Sequence, residues 1–204
     1  MSKLTVEDTS LVAVADAIRT KSGTTDALAF PDGFVDAIDN MQGENHLAKM
    51  VDDTITEVTA EMLDGCTKIR KCAFYYCHSI TNIVIPEEVT TIEDNAFGNC
   101  TSLASVVLPS TLKTIKESAF AYCSSLTNIV IPERVVSIGN DAFNGCSILT
   151  NVEVKPTAPP SLGTNVFKKC SALTQIIVPV GKLATYQSAT NWSAYADIMV
   201  EATE

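Results

Sequence analysis

Residues 115–132 read IKESAFAYCSSLTNIVIP, and the same pattern returns 23 positions away on either side, as IEDNAFGNCTSLASVVLP over 92–109 and IGNDAFNGCSILTNVEVK over 138–155. Further out, phenylalanine keeps the beat: Phe74, Phe97, Phe120, Phe143 and Phe167 lie at steps of 23, 23, 23 and 24 residues. A cysteine follows each by three positions, at Cys77, Cys100, Cys123, Cys146 and Cys170. Ile69, Ile92, Ile115 and Ile138 precede four of them by five positions, and Leu162 takes that place in the last copy. A fixed period of this length marks stacked supersecondary units, none of which buries its apolar face alone. The expected architecture is a solenoid, with function on a surface rather than in a pocket.

Within one copy, Ile129-Val130-Ile131 alternates as a strand does, Ile129 and Ile131 pointing inwards. Pro86, Pro109, Pro132 and Pro179 close the equivalent strands, because proline cannot donate to a continuing ladder. Strands one repeat apart are parallel neighbours, one per turn. The return stretch places Val135, Ile138, Ala142, Phe143 and Cys146 inwards on the opposite wall, so that each Phe stacks on the next. The alanine before it (Ala73, Ala96, Ala119, Ala142) reads as a tight turn that excludes bulk, with Val166 in its place in the last copy.

Ile138 to Cys146 follow almost letter for letter the signature I-G-x-x-A-F-x-x-C-x-S-L-x-x-I-x-I-P. The chain thereby closely resembles the BspA-like, or Treponema pallidum-type, leucine-rich repeats over about residues 52–204. The resemblance implies an α+β repeat solenoid: a right-handed leucine-rich-repeat stack with one parallel strand per ~23-residue repeat. Its strands are expected to line a concave side, with short N-terminal helices before the stack and a C-terminal cap after it.

The expected division is a helical segment over 1–45, a linker over 46–54, the repeats over 55–180 and the cap over 181–204. In the first segment Leu11, Val14, Ala15 and Ile18 lie at helical spacing behind Ser10 as N-cap, and Pro31 opens a second helix carrying Phe34, Val35 and Ile38. Residues 14–38 also resemble a segment of phage tail and other structural proteins; the alternative is a cap over the first rung. Ile55, Val58, Leu63 and Cys66 match Val89, Ile92, Phe97 and Cys100, which makes 55–66 a degenerate half-copy. Residues 155–161, KPTAPPS, form a proline-stiffened turn that absorbs the extra residue of the last step. In the closing segment, which resembles the usual end of such proteins, Tyr186, Trp192 and Tyr195 are suited to covering the last rung and its open edge.

Composition narrows the function classes. Over 204 residues the net charge is −10, dispersed without long runs, which argues against nucleic acid, whose phosphates need clustered Lys and Arg. No apolar run approaches the ~18 residues of a membrane-spanning helix, and MSKLTVEDTS has no apolar signal core. The seven cysteines contain no CxxC pair and stand in register, so a column of free thiols behaving as small hydrophobes is expected. Cys72 aligns with Asn95, Ser118 and Asp141 and is expected at the surface. Of the two histidines, His78 aligns with Thr101, Ser124 and Ser147, a solvated turn. No phosphate-binding glycine loop, triad or ligand cluster emerges, so no catalysis, cofactor or metal is expected. Asn99-Cys100-Thr101 and Asn191-Trp192-Ser193 match a glycosylation sequon that acts only in a eukaryotic secretory host.

The outward strand positions are more informative. One column runs Val84, Val107, Val130, Glu153, Ile177; the next runs Asn82, Ser105, Asn128, Asn151, Gln175. β-Branched side chains beside an amide ladder have the composition of a protein-contact surface, although valine also suits any strand of a parallel sheet. The expectation is a non-enzymatic, adhesion-type module that binds a host or bacterial surface protein through these residues. The alternative is a phage tail-associated structural protein that uses the repeats as a display scaffold. Carbohydrate is disfavoured on this face, which has no aromatic platform.

Overall fold

The 23-residue period becomes a stack of rungs, each contributing two parallel strands to opposite walls. The computed structural model describes residues 56–63 and 65–203. The helical segment, the linker and the phage-like stretch expected upstream lie outside the described residues.

On the first wall lie β1 (Glu57–Val58), β3 (Asn82–Val84), β5 (Ser105–Val107), β7 (Asn128–Ile131), β9 (Asn151–Val154) and β11 (Gln175–Val178). On the second lie β2 (Lys68–Ile69), β4 (Thr91–Ile92), β6 (Thr114–Ile115), β8 (Ser137–Ile138) and β10 (Ser161–Leu162), joined in one five-stranded sheet. The pairings hold the sequence period as register: Ile83 opposite Val106, Ile129 opposite Val152, Ile92 opposite Ile115. The second sheet adds to the sequence reading, which gave one strand per turn.

Between the walls the phenylalanine column is continuous. Phe74, Phe97, Phe120 and Phe143 follow one another with ring centroids 5.0, 5.1 and 5.3 Å apart and planes within 8° of parallel; Phe167 continues the column at 5.7 Å. Alongside it none of the seven cysteines forms a disulfide. Four of them donate to the carbonyl of the phenylalanine one rung back: Cys100 Sγ to Phe74 O at 2.9 Å, Cys123 Sγ to Phe97 O at 3.1 Å, Cys146 Sγ to Phe120 O at 3.2 Å and Cys170 Sγ to Phe143 O at 3.1 Å. Burial pushes all four thiols upward, Cys170 to about 11, so the protonated donor is the form that persists.

The return turns are knit along the same axis. The N–H groups of Cys72, Phe74 and Tyr76 donate to the carbonyls of Asp94, Ala96 and Gly98 in the next rung, and later copies repeat the scheme. Aiming alternate N–H groups along the stack requires left-handed backbone at two positions per turn, at Asn95 and Asn99, for instance, with φ of 54° and 60°. Asn and Gly tolerate that region at low cost. Cys72, expected at the surface, occupies one such position at φ 57° and is half-buried, with its thiol pushed up by that burial.

The cap closes the carboxyl end as the aromatic residues suggested. Helix α1 (Leu183–Ser188) and the 3₁₀ turn Trp192–Ile198 bury Tyr186 and Trp192 completely. Their polar ends reach the proline turn: Tyr186 Oη donates to Pro156 O at 2.6 Å and Trp192 Nε1 to Pro160 O at 2.8 Å. Tyr195 sets its ring edge-on to Phe167 at 5.3 Å, ending the aromatic column. Beyond it β12 (Met199–Glu201) pairs with β11 and covers the edge of the first wall.

The first wall is divided. Its strands form two sheets, β1-β3-β5 and β12-β11-β9-β7, with no ladder between β5 and β7. Val106 and Leu108 flank this seam half-buried, whereas their equivalents Ile83, Ile129, Ile85 and Ile131 are buried. The second wall and the Phe97–Phe120 stack run through the same level unbroken.

Candidate binding surface on the long strands

Strand alternation places the predicted residues as two columns on the outer face of the first wall. Val84 pairs with Val107, Val130 with Glu153, and Glu153 with Ile177; Asn82 pairs with Ser105, Asn128 with Asn151, and Asn151 with Gln175. Val84, Val107 and Val130 stand 37%, 53% and 41% exposed, while Glu153 and Ile177 are half-buried near the cap. Two neighbours escaped the sequence reading. Val200, opposite Ile177 and 37% exposed, extends the apolar column, and Glu57, opposite Asn82, extends the polar one. The run Met199-Val200-Glu201 alternates as the other strands do, but it is too short to stand out from a helical cap.

The polar column is partly self-satisfied. Asn151 Nδ2 donates to Asn128 Oδ1 at 3.1 Å. Behind it threonines tie the rungs: Thr81 Oγ1 donates to Thr56 O at 2.9 Å, and Thr150 Oγ1 to Thr127 O at 3.1 Å. At the seam the amide chain stops, because Ser105 carries no amide to meet Asn128; Asn128 keeps only the bond to the preceding threonine that Asn82 and Asn151 also make, to Thr127 Oγ1 at 3.2 Å. Glu153 meets Lys155 at 3.8 Å, an exposed pair worth at most about 1 kcal/mol. The face therefore offers β-branched and amide groups in fixed register on each side of the seam, with little charge. It suits non-covalent contact.

His78 is exposed, with Nδ1 2.9 Å from Thr101 Oγ1. Among the described residues no group of three His, Cys, Asp or Glu side chains is placed to hold a metal ion, and no helix is long and apolar enough to cross a membrane.

Parallel rungs, a phenylalanine column and an exposed strand face define a leucine-rich-repeat solenoid. The chain belongs to the BspA type leucine rich repeat region, whose sequence profile matches residues 67–192 in six copies. No curated protein matches it significantly. Among solved structures it is similar to the T. pallidum leucine rich repeat protein, at 33% identity and TM-score 0.56, over 60% of this chain and 58% of that one. It is also similar to a leucine rich cell surface protein from Faecalibacterium prausnitzii, at 28% identity and TM-score 0.56, over 74% of this chain and 36% of that one. The pneumococcal vaccine antigen PcpA shares the fold, at 18% identity and TM-score 0.51, over 61% of this chain and 30% of that one. In each case the match covers less than two thirds of the solved chain's length.

Proposed function

We propose that the chain is a non-catalytic protein-binding module that captures a partner at a cell surface through the outer face of its long strands. The observation that carries this reading is the exposed column Val84, Val107, Val130 and Val200 beside an amide column in fixed register. Ordered apolar side chains held by a rigid scaffold bind with little loss of conformational entropy. The weakly acidic face, with Glu57 and Glu153 its charged members, suits another protein better than a polyanion. Membership of the repeat family and likeness to a named cell surface protein support the same reading.

The test is the double substitution Val107→Lys with Val130→Lys. Both positions face water, so the free energy of unfolding in urea is expected to stay within about 0.5 kcal/mol of the parent. Capture of a surface protein, identified by pulldown and then rebound in purified form, is expected to weaken at least about tenfold. A stable double variant that binds that protein as the parent does refutes the reading.

A second reading, a virion scaffold, rests on the likeness of residues 14–38 to phage structural proteins. Particle association by the isolated 1–45 segment without the repeats is the outcome that favours it.

A further inference from the structure

The seam in the first wall extends beyond its missing ladder. Among the described residues no side-chain hydrogen bond joins residues 102–112 to residues 125–135, the two stretches that meet there. The levels on either side are tied at several points. Below the seam, Ala104 N–H donates to Thr81 O at 2.8 Å, and Ser110 donates twice to the Glu87 carboxylate, from N at 3.1 Å and from Oγ at 2.7 Å. Above it, Thr150 N–H and Oγ1 donate to Thr127 O at 2.8 and 3.1 Å, and Lys155 N–H donates to Ile131 O at 3.0 Å. Two residues on the lower side explain the gap. Ser105 brings no amide to Asn128, and Ser110, the copy of Glu87 one period on, brings no carboxylate to the next turn.

The same two rungs are bonded firmly everywhere else. In the turn that precedes the seam, the N–H groups of Asn95, Phe97 and Asn99 donate to the carbonyls of Glu117, Ala119 and Ala121 at 2.9, 2.8 and 2.7 Å. Phe97 and Phe120 stack beneath it at 5.1 Å. On the second wall that follows, Val136 N–H donates to Lys113 O at 2.9 Å and Gly139 N–H to Ile115 O at 2.8 Å. β4, β6 and β8 pair there without a break. The seam is thus open on one side of the stack and closed on the other. Across it, Val106 and Leu108 are half-buried, where the copies in neighbouring rungs are buried.

We propose that the seam is a hinge: the plates β1-β3-β5 and β7-β9-β11-β12 tilt apart about the second wall, which serves as the axis. At any other level a tilt of the first wall breaks a strand ladder. Here it breaks none, and exposes only more of Val106 and Leu108, so motion concentrates at this level. Each plate is paired within itself, which fixes the steps from Val84 to Val107 and from Val130 to Glu153. The step from Val107 to Val130 is the one that varies. A body touching both plates then selects one tilt among those already populated. The hinge follows from the pairing, and it holds whether or not the outer face captures a protein.

The test is the distance distribution between paired nitroxide labels on the full chain, read by electron–electron double resonance. Cys72→Ser removes the half-buried thiol and installs the residue that position 118 carries on the same left-handed backbone; the other six cysteines are buried. Three pairs each span three rungs, roughly 14 Å before the label arms are added. Val84→Cys with Glu153→Cys crosses the seam. Val130→Cys with Val200→Cys stays within the upper plate of the same wall. Thr67→Cys with Val136→Cys follows the second wall, where each step carries a backbone bond. All these labels stand on outward-facing side chains. The distribution across the seam is expected to be about twice as wide as the other two. A seam pair no wider than Val130 with Val200 overturns the hinge. So does a second-wall pair as wide as the seam pair, because the whole stack then bends and the seam has no special part.

Discussion

Cys123 is wholly enclosed, and its thiol proton rests on the carbonyl of Phe97, 3.1 Å away. That contact gives the carbonyl a second donor beside the Cys100 N–H, 3.2 Å away, and desolvation holds the thiol protonated. The consequence is a dependence of stability on alkaline pH. The folded thiols ionise above their ordinary value of 9.0, Cys170 at about 11, while the unfolded ones ionise near 9.0. Their contribution is therefore complete below 9.0 and is lost as pH rises through the folded values. The urea midpoint is expected to fall steadily between pH 9 and about 11, and less steeply in Cys123→Ala. A midpoint that stays level across that range contradicts this account. The column itself was legible in the sequence, since a cysteine three places after each of the five repeat phenylalanines can only repeat one environment. Its bonding was not, because the acceptor lies 26 residues back, on another rung.

Elements differ in how firmly neighbours hold them. β7, β9 and β11 pair along the first wall, and β3 pairs with β5, yet β5 and β7 share no ladder. The second wall is continuous at that level, so the seam is confined to one side of the stack. Restoring an amide with Ser105→Asn gives Asn128 the partner that it gives Asn151 and is expected to stabilise by about 1 kcal/mol. Hydrogen exchange on β7 is expected to slow by about fivefold, the same free energy expressed as a rate. Exchange on β7 that is unchanged in a folded variant excludes Ser105 as the origin of the seam. Sequence comparison of copies already marks Ser105 as the one member of the column Asn82, Ser105, Asn128, Asn151, Gln175 without an amide. Whether one missing amide parts two strands depends on how the half-buried Val106 and Leu108 pack.

Across the whole molecule, stability passes from rung to rung, and an end rung has a neighbour on one side only. The cap supplies the missing neighbour at the carboxyl end. Trp192 fills that role most fully, buried completely, edge-on to Tyr186 at 5.2 Å and bonded to Pro160. Trp192→Ala is expected to cost about 3–5 kcal/mol in urea unfolding and to expose the β11 edge. A loss below about 1 kcal/mol shows the cap to be dispensable. The aromatic residues announced a cap, but not that it would be anchored on the proline turn, which sequence reading assigned only to length.

By itself the sequence determined the period, the inward and outward alternation of the long strands, the phenylalanine and cysteine columns and the position of the cap. All but the cap repeat, and a repeated residue must meet its own copy one rung away. The two-residue strands of the second wall, the seam and the added strand β12 were decided only by the tertiary structure. Each depends on the fit between side chains on different rungs, and two residues or a single substitution carry too little pattern to reveal that fit.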